Sequence, residues 1–157
     1  MIPLFWPVCR QRTEEDDVLQ TVESLVRLAE NKDLEAIMGY FAEDFADFEG
    51  RDKNGLRSLL LSYFTGRTGI VAHILSKRII DFSTGQASLE TEVALSSGGA
   101  EALRRLVRIS PDVYRIRIDL AKGGEKWLIN YAEWTSIGLT ELFPESLQEL
   151  KKIFPRI

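Results

Sequence analysis

The sequence predicts a single α+β domain: N-terminal helices packed on a curved antiparallel sheet of about four long strands, with a short C-terminal helix. Three observations predict it. Apolar residues recur at helical spacing through the first third of the chain. From Ile70 the texture changes to β-branched and alternating residues. The later alternating runs are joined by short Gly-containing turns, which suit antiparallel neighbours.

The elements follow in order. Thr13, with Glu14, Glu15 and Asp16 behind it, is a helix start: a hydroxyl to cap free N–H groups and acids at the positive end of the dipole. Val18, Val22, Leu25, Val26 and Ala29 then form one core-facing stripe. Asn31-Lys32-Asp33 breaks that helix, and Asp33 caps a short second one carrying Leu34, Ile37 and Met38. Phe41–Gly50 reads as a turn and a short extended piece. A third helix, capped by Asp52 or Asn54, buries Leu56, Leu59, Leu60, Tyr63 and Phe64 and ends at Gly66 and Gly69.

Strands are predicted over Ile70–Phe82, Gln86–Ser96, Val113–Leu120 and Trp127–Thr135. In the second, Ala87, Leu89, Thr91, Val93 and Leu95 share one face and Gln86, Ser88, Glu90 and Glu92 the other. In the third, Tyr114, Ile116, Ile118 and Leu120 point inward, and Arg115, Arg117 and Asp119 point outward to a wet face. Ala100–Arg108 is open to two readings, a short helix or a packed loop. Pro144–Phe154 repeats Leu147, Leu150, Ile153 and Phe154 at helical spacing, with lysines near its end.

Composition narrows the function classes. A chain of 157 residues buries roughly two-thirds of its unfolded surface, enough for a core without staples. A net charge of −4, with basic and acidic residues interspersed, argues against nucleic acid, whose binders carry a basic stripe. Arg104, Arg105 and Arg108 are too few to change that. One cysteine, Cys9, rules out an intrachain disulfide and a Cys-rich zinc site, and the single histidine, His73, rules out a multi-histidine site. No metal and no cofactor are expected. The tail 1–12 opens with MIPLFWPVC, too short to span a bilayer. Two readings stay open for it. It is a surface tail with an incidental cysteine, which makes the protein cytoplasmic. Otherwise it is the end of a longer export signal, which makes the protein periplasmic or lipid-anchored at Cys9, although Val8 fits a signal peptidase poorly. The domain proper is 13–157.

Three stretches carry a family resemblance: the hairpin VESLVRLAENKDLEAIMGYFAEDFADFEG, the helix Gly55–Phe64, and the strand pair VYRIRIDLAKGGEKWLINYAEW. In order, over about residues 14–136, they resemble the nuclear transport factor 2-like superfamily, which includes the SnoaL-like cyclases and ketosteroid isomerase. The resemblance implies a sheet wrapped by helices into a cystatin-like cone with an apolar pocket, pairing as homodimers through the sheet. Its enzymes hold an aspartate, histidine or tyrosine inside the cone to move protons beside a carbonyl. Its non-enzymatic members bind small molecules or proteins. The N-terminal tail, Gly98–Asp112 and the C-terminal helix look like local additions.

No motif of the enzymes can be laid on this chain. Tyr40, Tyr63, His73, Glu92, Tyr131 and Trp134 are the candidate pocket lining: aromatic bodies with polar tips, one imidazole and one carboxylate. Each also has a plainer reading. His73 suits a hydrogen-bonded position on the sheet surface, and Glu90 and Glu92 suit cross-strand pairing with Arg115 or Arg117. Asp119 shares its face with arginines, away from the pocket. Asp44 and Asp47, between phenylalanines, suit the solvated side of a packed turn. The expectation is a non-catalytic domain that binds a small apolar ligand in its cone or a protein partner through its sheet. The alternative is an isomerase, cyclase or dehydratase.

Overall fold

The computed structural model describes residues 12–96 and 111–155. The alternative readings of Ala100–Arg108 and of the first residues, Cys9 included, fall outside them.

Thr13 opens helix α1 (Glu14–Glu30) with a reciprocal cap. Its hydroxyl accepts the Asp16 N–H and the Asp16 carboxylate accepts the Thr13 N–H, each at 3.1 Å. The helix stops where Lys32 takes a positive φ of 54°, and the Asp33 carboxylate, accepting the Ala36 N–H, starts α2 (Leu34–Met38). Asp52 caps α3 (Lys53–Thr65) by accepting the Gly55 N–H at 2.8 Å. The helical hairpin and third helix fall where the residues predicted.

Four long strands follow: β2 (Val71–Ser83), β3 (Gln86–Ser96), β4 (Asp112–Gly123) and β5 (Lys126–Ser136). Gly85 and Gly124 turn the β2–β3 and β4–β5 hairpins at φ values of 80° and 68°, where a side chain is strained. A fifth strand differs from expectation. Phe41–Asp47 forms β1, and it pairs in parallel with β5, so the sheet is mixed, with order β1-β5-β4-β3-β2. The Ile129 N–H donates to the Tyr40 carbonyl and the Phe48 N–H to the Ala132 carbonyl. Its acids hide the strand in the sequence: Glu43 and Asp44 are exposed, while Phe45 and Asp47 are buried.

The sheet has two working faces, and the pairing register fixes what lies on each. The inner face carries cross-strand rows such as Phe82–Ala87–Leu120–Ile129 and Ile79–Leu89–Ile118–Ala132. Helix α1 lies over β2 and β3, α3 lies against β1, and α2 bridges the two helices. Val18 and Val22 of α1, Met38, Phe45 and Leu56 close this end of the core with Trp127.

The outer face was expected to be wet. Over β2, β3 and β4 it is instead covered by a C-terminal arm: a 3₁₀ turn (Leu139–Glu141) and helix α4 (Pro144–Ile153). Leu142 and Leu150 of the arm pack with Leu75, Ala94 and Val113 as a second core. The amphipathic period of α4 was visible in the sequence, but not which face of the sheet it would bury.

Candidate functional site

The six residues expected to line one pocket lie on different surfaces. Tyr40 and Trp134 belong to the inner core and Tyr63 to the helix side, while His73, Glu92 and Tyr131 are on the outer face. Alternation settles the last three. His73 pairs with Ala94 and packs edge-on against Phe154, with ring centroids 5.7 Å apart. Tyr131 donates its hydroxyl to the Glu133 carboxylate at 2.9 Å. That bond, with burial and the negative charges of Glu133 and Asp119, pushes its pKa up.

Glu92 is the most constrained of them. Its side chain is 0% exposed, so its charge needs partners. Arg115, opposite it on β4, donates twice to Oε2, at 3.0 and 2.7 Å, and the Phe143 N–H donates to Oε1 at 2.9 Å. The cross-strand pairing with Arg115 agrees with the plainer reading of its sequence position; its burial under the arm does not. Glu90 sits opposite Arg117, and Asp119 accepts the Ser88 hydroxyl at 2.6 Å on the same outer face. Asp47 was taken for a solvated loop acid, yet its side chain is fully buried. Its carboxylate accepts the N–H groups of Glu49 and Arg51 and the Arg51 guanidinium, all at 2.9 Å. Burial pushes its pKa up, but these Arg51 and Glu49 bonds outweigh it and hold the carboxyl below the usual aspartate range.

Among the described residues, the inner face is less buried toward one end. Toward the start of β4 and the end of β5, the rows Ile74–Val93–Tyr114–Ser136 and Lys77–Thr91–Ile116–Trp134 continue the alternation. Val93 and Thr91 are buried, but Tyr114, Ile116 and Trp134 are only half-buried and Ser136 is exposed. This strip lies between α1, over β2 and β3, and α3, against β1. Phe48 meets Trp134 edge-to-face, with centroids 4.9 Å apart, and is itself exposed. Tyr63 of α3 lies near Tyr114 and Asp112, and the Arg67 guanidinium sits 3.5 Å above its ring. Burial, chiefly, pushes the Tyr63 pKa up, with Tyr114 and Asp112 adding to it against the opposing pull of Arg67.

The strip is apolar and aromatic with two phenol hydroxyls. Its inward-pointing cation, Lys77, is paired with Glu23 of α1. These two rows carry no carboxylate or imidazole, but Asp112, opposite Leu95 in the next row, shares their face at the start of β4. Sequence alternation already put Tyr114 and Ile116 inward; what it lacked was which part of that face the helices leave half-buried. Two depressions, of about 280 and 210 Å³, lie elsewhere on the protein. One is a polar notch between α2 and α3 beside Lys53 and Arg57, and the other is on the outer face beside Asp81, Ser88 and Asp119. Among the described residues no cluster of three or more His, Cys, Asp or Glu is placed to hold a metal ion. No described helix is long and apolar enough to cross a membrane.

Known structures share this arrangement. Bd1075 of Bdellovibrio bacteriovorus superposes over 80% of the chain with a TM-score of 0.64 at 21% identity; the present chain spans only 42% of its length. An NTF2-like protein of unknown function from Pseudomonas putida matches 83% of the chain and 96% of its own, with a TM-score of 0.66 at 14% identity. The fold is that of the nuclear transport factor 2-like superfamily. A Novosphingobium aromaticivorans protein provisionally named a scytalone dehydratase shares this NTF2-like fold, covering 80% of this chain and 85% of its own (TM-score 0.63, 13% identity). No protein-family model matches the sequence, and no curated protein matches it.

Proposed function

We propose that the domain binds a small apolar ligand against the inner-face strip and does no chemistry on it. The carrying observation is the contrast along the inner face. Its rows are sealed near Trp127 but only half-buried at Tyr114, Ile116 and Trp134, where the nearby acids are Asp112, exposed at the start of β4, and Glu23, which is paired with Lys77. Apolar surface with a few polar tips suits a ligand held by burial and oriented by one or two hydrogen bonds. The phenol of Tyr63, with its raised pKa, stays neutral and can donate.

The isomerase, cyclase or dehydratase alternative needs a proton acceptor inside the cone. His73, Glu92 and Asp119 stand on the outer face, and Asp112, the acid with inner-face parity on β4, is exposed at the strand's start. A homodimer through the sheet remains part of the proposal, but it must use β4 and β5. The arm occupies the outer face over β2, β3 and the start of β4, leaving Arg117, Asp119, Tyr131 and Glu133 for a partner.

The test is binding of Nile red, an uncharged apolar fluorescent probe, by the wild type, Ile116→Arg and Glu133→Gln. A charge planted in the strip should abolish probe binding while circular dichroism stays native, and Glu133→Gln should leave it unchanged. Equal binding by Ile116→Arg and wild type would refute the reading.

A further inference from the structure

The C-terminal arm is held by more than apolar burial. Three strands each contribute a charged side chain to one short segment, Phe143-Pro144-Glu145. Glu92 of β3 accepts the Phe143 N–H at 2.9 Å. Arg115 of β4, bound to the same carboxylate, also donates to the Glu141 carbonyl at 2.7 Å. Arg78 of β2 lies over the Phe143 ring at 3.5 Å, and Arg115 approaches that ring at 4.5 Å. Arg78 further pairs with the Glu145 carboxylate, its Nε donating at 2.9 Å. The segment's backbone is therefore held by Glu92, its ring by Arg78 and Arg115, and its acid by Arg78. Pro144, at the first position of α4, fixes the turn from extended Phe143 into the helix. Leu142, Ser146 and Leu150 then seal against the sheet.

A helix that needed only to cover apolar surface would need no buried carboxylate, because a buried ion pair is seldom better for stability than apolar residues of the same size. Its value lies in selecting what docks. We propose that the outer face of the sheet is a docking site for an aromatic–proline–acid segment, filled by the chain's own arm and open to the arm of a second copy. The site belongs to the outer face and does not rest on ligand binding at the inner one.

Exchange tests it on the full chain. A protease site is placed at Gly138, ahead of the arm, and cut after folding. A fluorescent synthetic peptide of residues 139–154 is then titrated in, with binding read by anisotropy. The labelled wild-type peptide should replace the cut arm. A Phe143→Ala peptide should bind about tenfold more weakly or worse, since it loses the ring that two guanidiniums hold. Arg78→Ala in the body should weaken the wild-type peptide but not one carrying Glu145→Ala and Phe143→Ala. A second measurement covers the case in which the cut body unfolds. The uncut Phe143→Ala chain, its own arm weakened, should take up the labelled wild-type peptide better than the uncut wild type. The proposal fails if a folded cut body does not rebind the peptide, or if the Phe143→Ala peptide binds as well as wild type. It also fails if the two uncut chains bind alike.

Discussion

Arg115→Met should destabilise the fold more than Glu92→Gln, and the double variant should be more stable than Arg115→Met alone. The magnitudes follow from the site. Arg115→Met leaves a fully buried carboxylate with the Phe143 N–H but without its cation. Breaking a buried pair this way costs about 3–5 kcal/mol. Arg115 itself is about a quarter exposed, at 28%, so water screens part of the pair and the lower end applies. Glu92→Gln keeps an oxygen for one donor but turns its amide N–H₂ toward another, a loss of about 1–2 kcal/mol. In the double variant the amide has no guanidinium to oppose and no charge is buried, so about 1–2 kcal/mol of the Arg115→Met cost returns. At about 2–4 °C per kcal/mol for a chain of this size, the ordering is resolvable by thermal and urea unfolding followed by circular dichroism. If the two single costs simply add in the double variant, Glu92 is not held as a buried charge and the reasoning is wrong.

Other outcomes follow from the same structure. Asp47→Asn should cost about 1–2 kcal/mol at pH 7, through loss of its charge-assisted bonds. Because the folded pKa of Asp47 is depressed, its stabilisation is present above the ordinary aspartate value of about 4 and lost as pH falls below that. The gap between wild type and Asp47→Asn should thus close only in acid; a gap constant from pH 7 to pH 2 contradicts the assignment. Gly85→Ala should cost about 1 kcal/mol by urea unfolding. Nothing lies within 4 Å of the added Cβ, so the cost is backbone strain alone, and Gly85→Asn should recover part of it. Leu150→Ala should cost about 3 kcal/mol, because the residue is 0% exposed and its loss leaves a cavity under the arm. A cost below about 1 kcal/mol would mean the arm is only loosely seated.

Much of the fold was legible because it rests on local rules. Thr13, Asp33 and Asp52 are caps by chemistry, and the alternation of Gln86–Ser96 gives the face of each side chain, although Glu92, Ala94 and Ser96 on the outer face are buried. β1 was only half legible. Glu43 and Asp44 break its apolar alternation, and its partner, β5, lies far downstream. The site was less legible than the fold, since a sequence gives the parity of a strand but not what covers each face. Parity set Asp119 with the arginines and put Glu92 opposite Arg115 or Arg117, of which the register selects Arg115. It could not say that α4 would fold over Glu92 on the outer face, or that α1 and α3 would leave Ile116 half-buried on the inner one. Asp47 was misjudged for a related reason: its partner Arg51 and two backbone donors come together only when the turn closes.

The parallel pairing of β1 with β5 also sets an order of events. As the chain leaves the ribosome, the three helices and β1 emerge before any of the four long strands on which they pack. β1 cannot find its neighbour in the sheet until β5 is out, after both long hairpins have been made. The hairpins close through nearby residues, whereas the β1–β5 seam is a long loop closure, entropically late. Phe45 and its neighbours on β1 are therefore the last apolar residues of the inner core to gain their sheet partner. A nascent chain stalled before Lys126 would hold two finished strand pairings, β2–β3 and β3–β4, beside an apolar N-terminal third still waiting for its seam, the state in which a chaperone has most to shield.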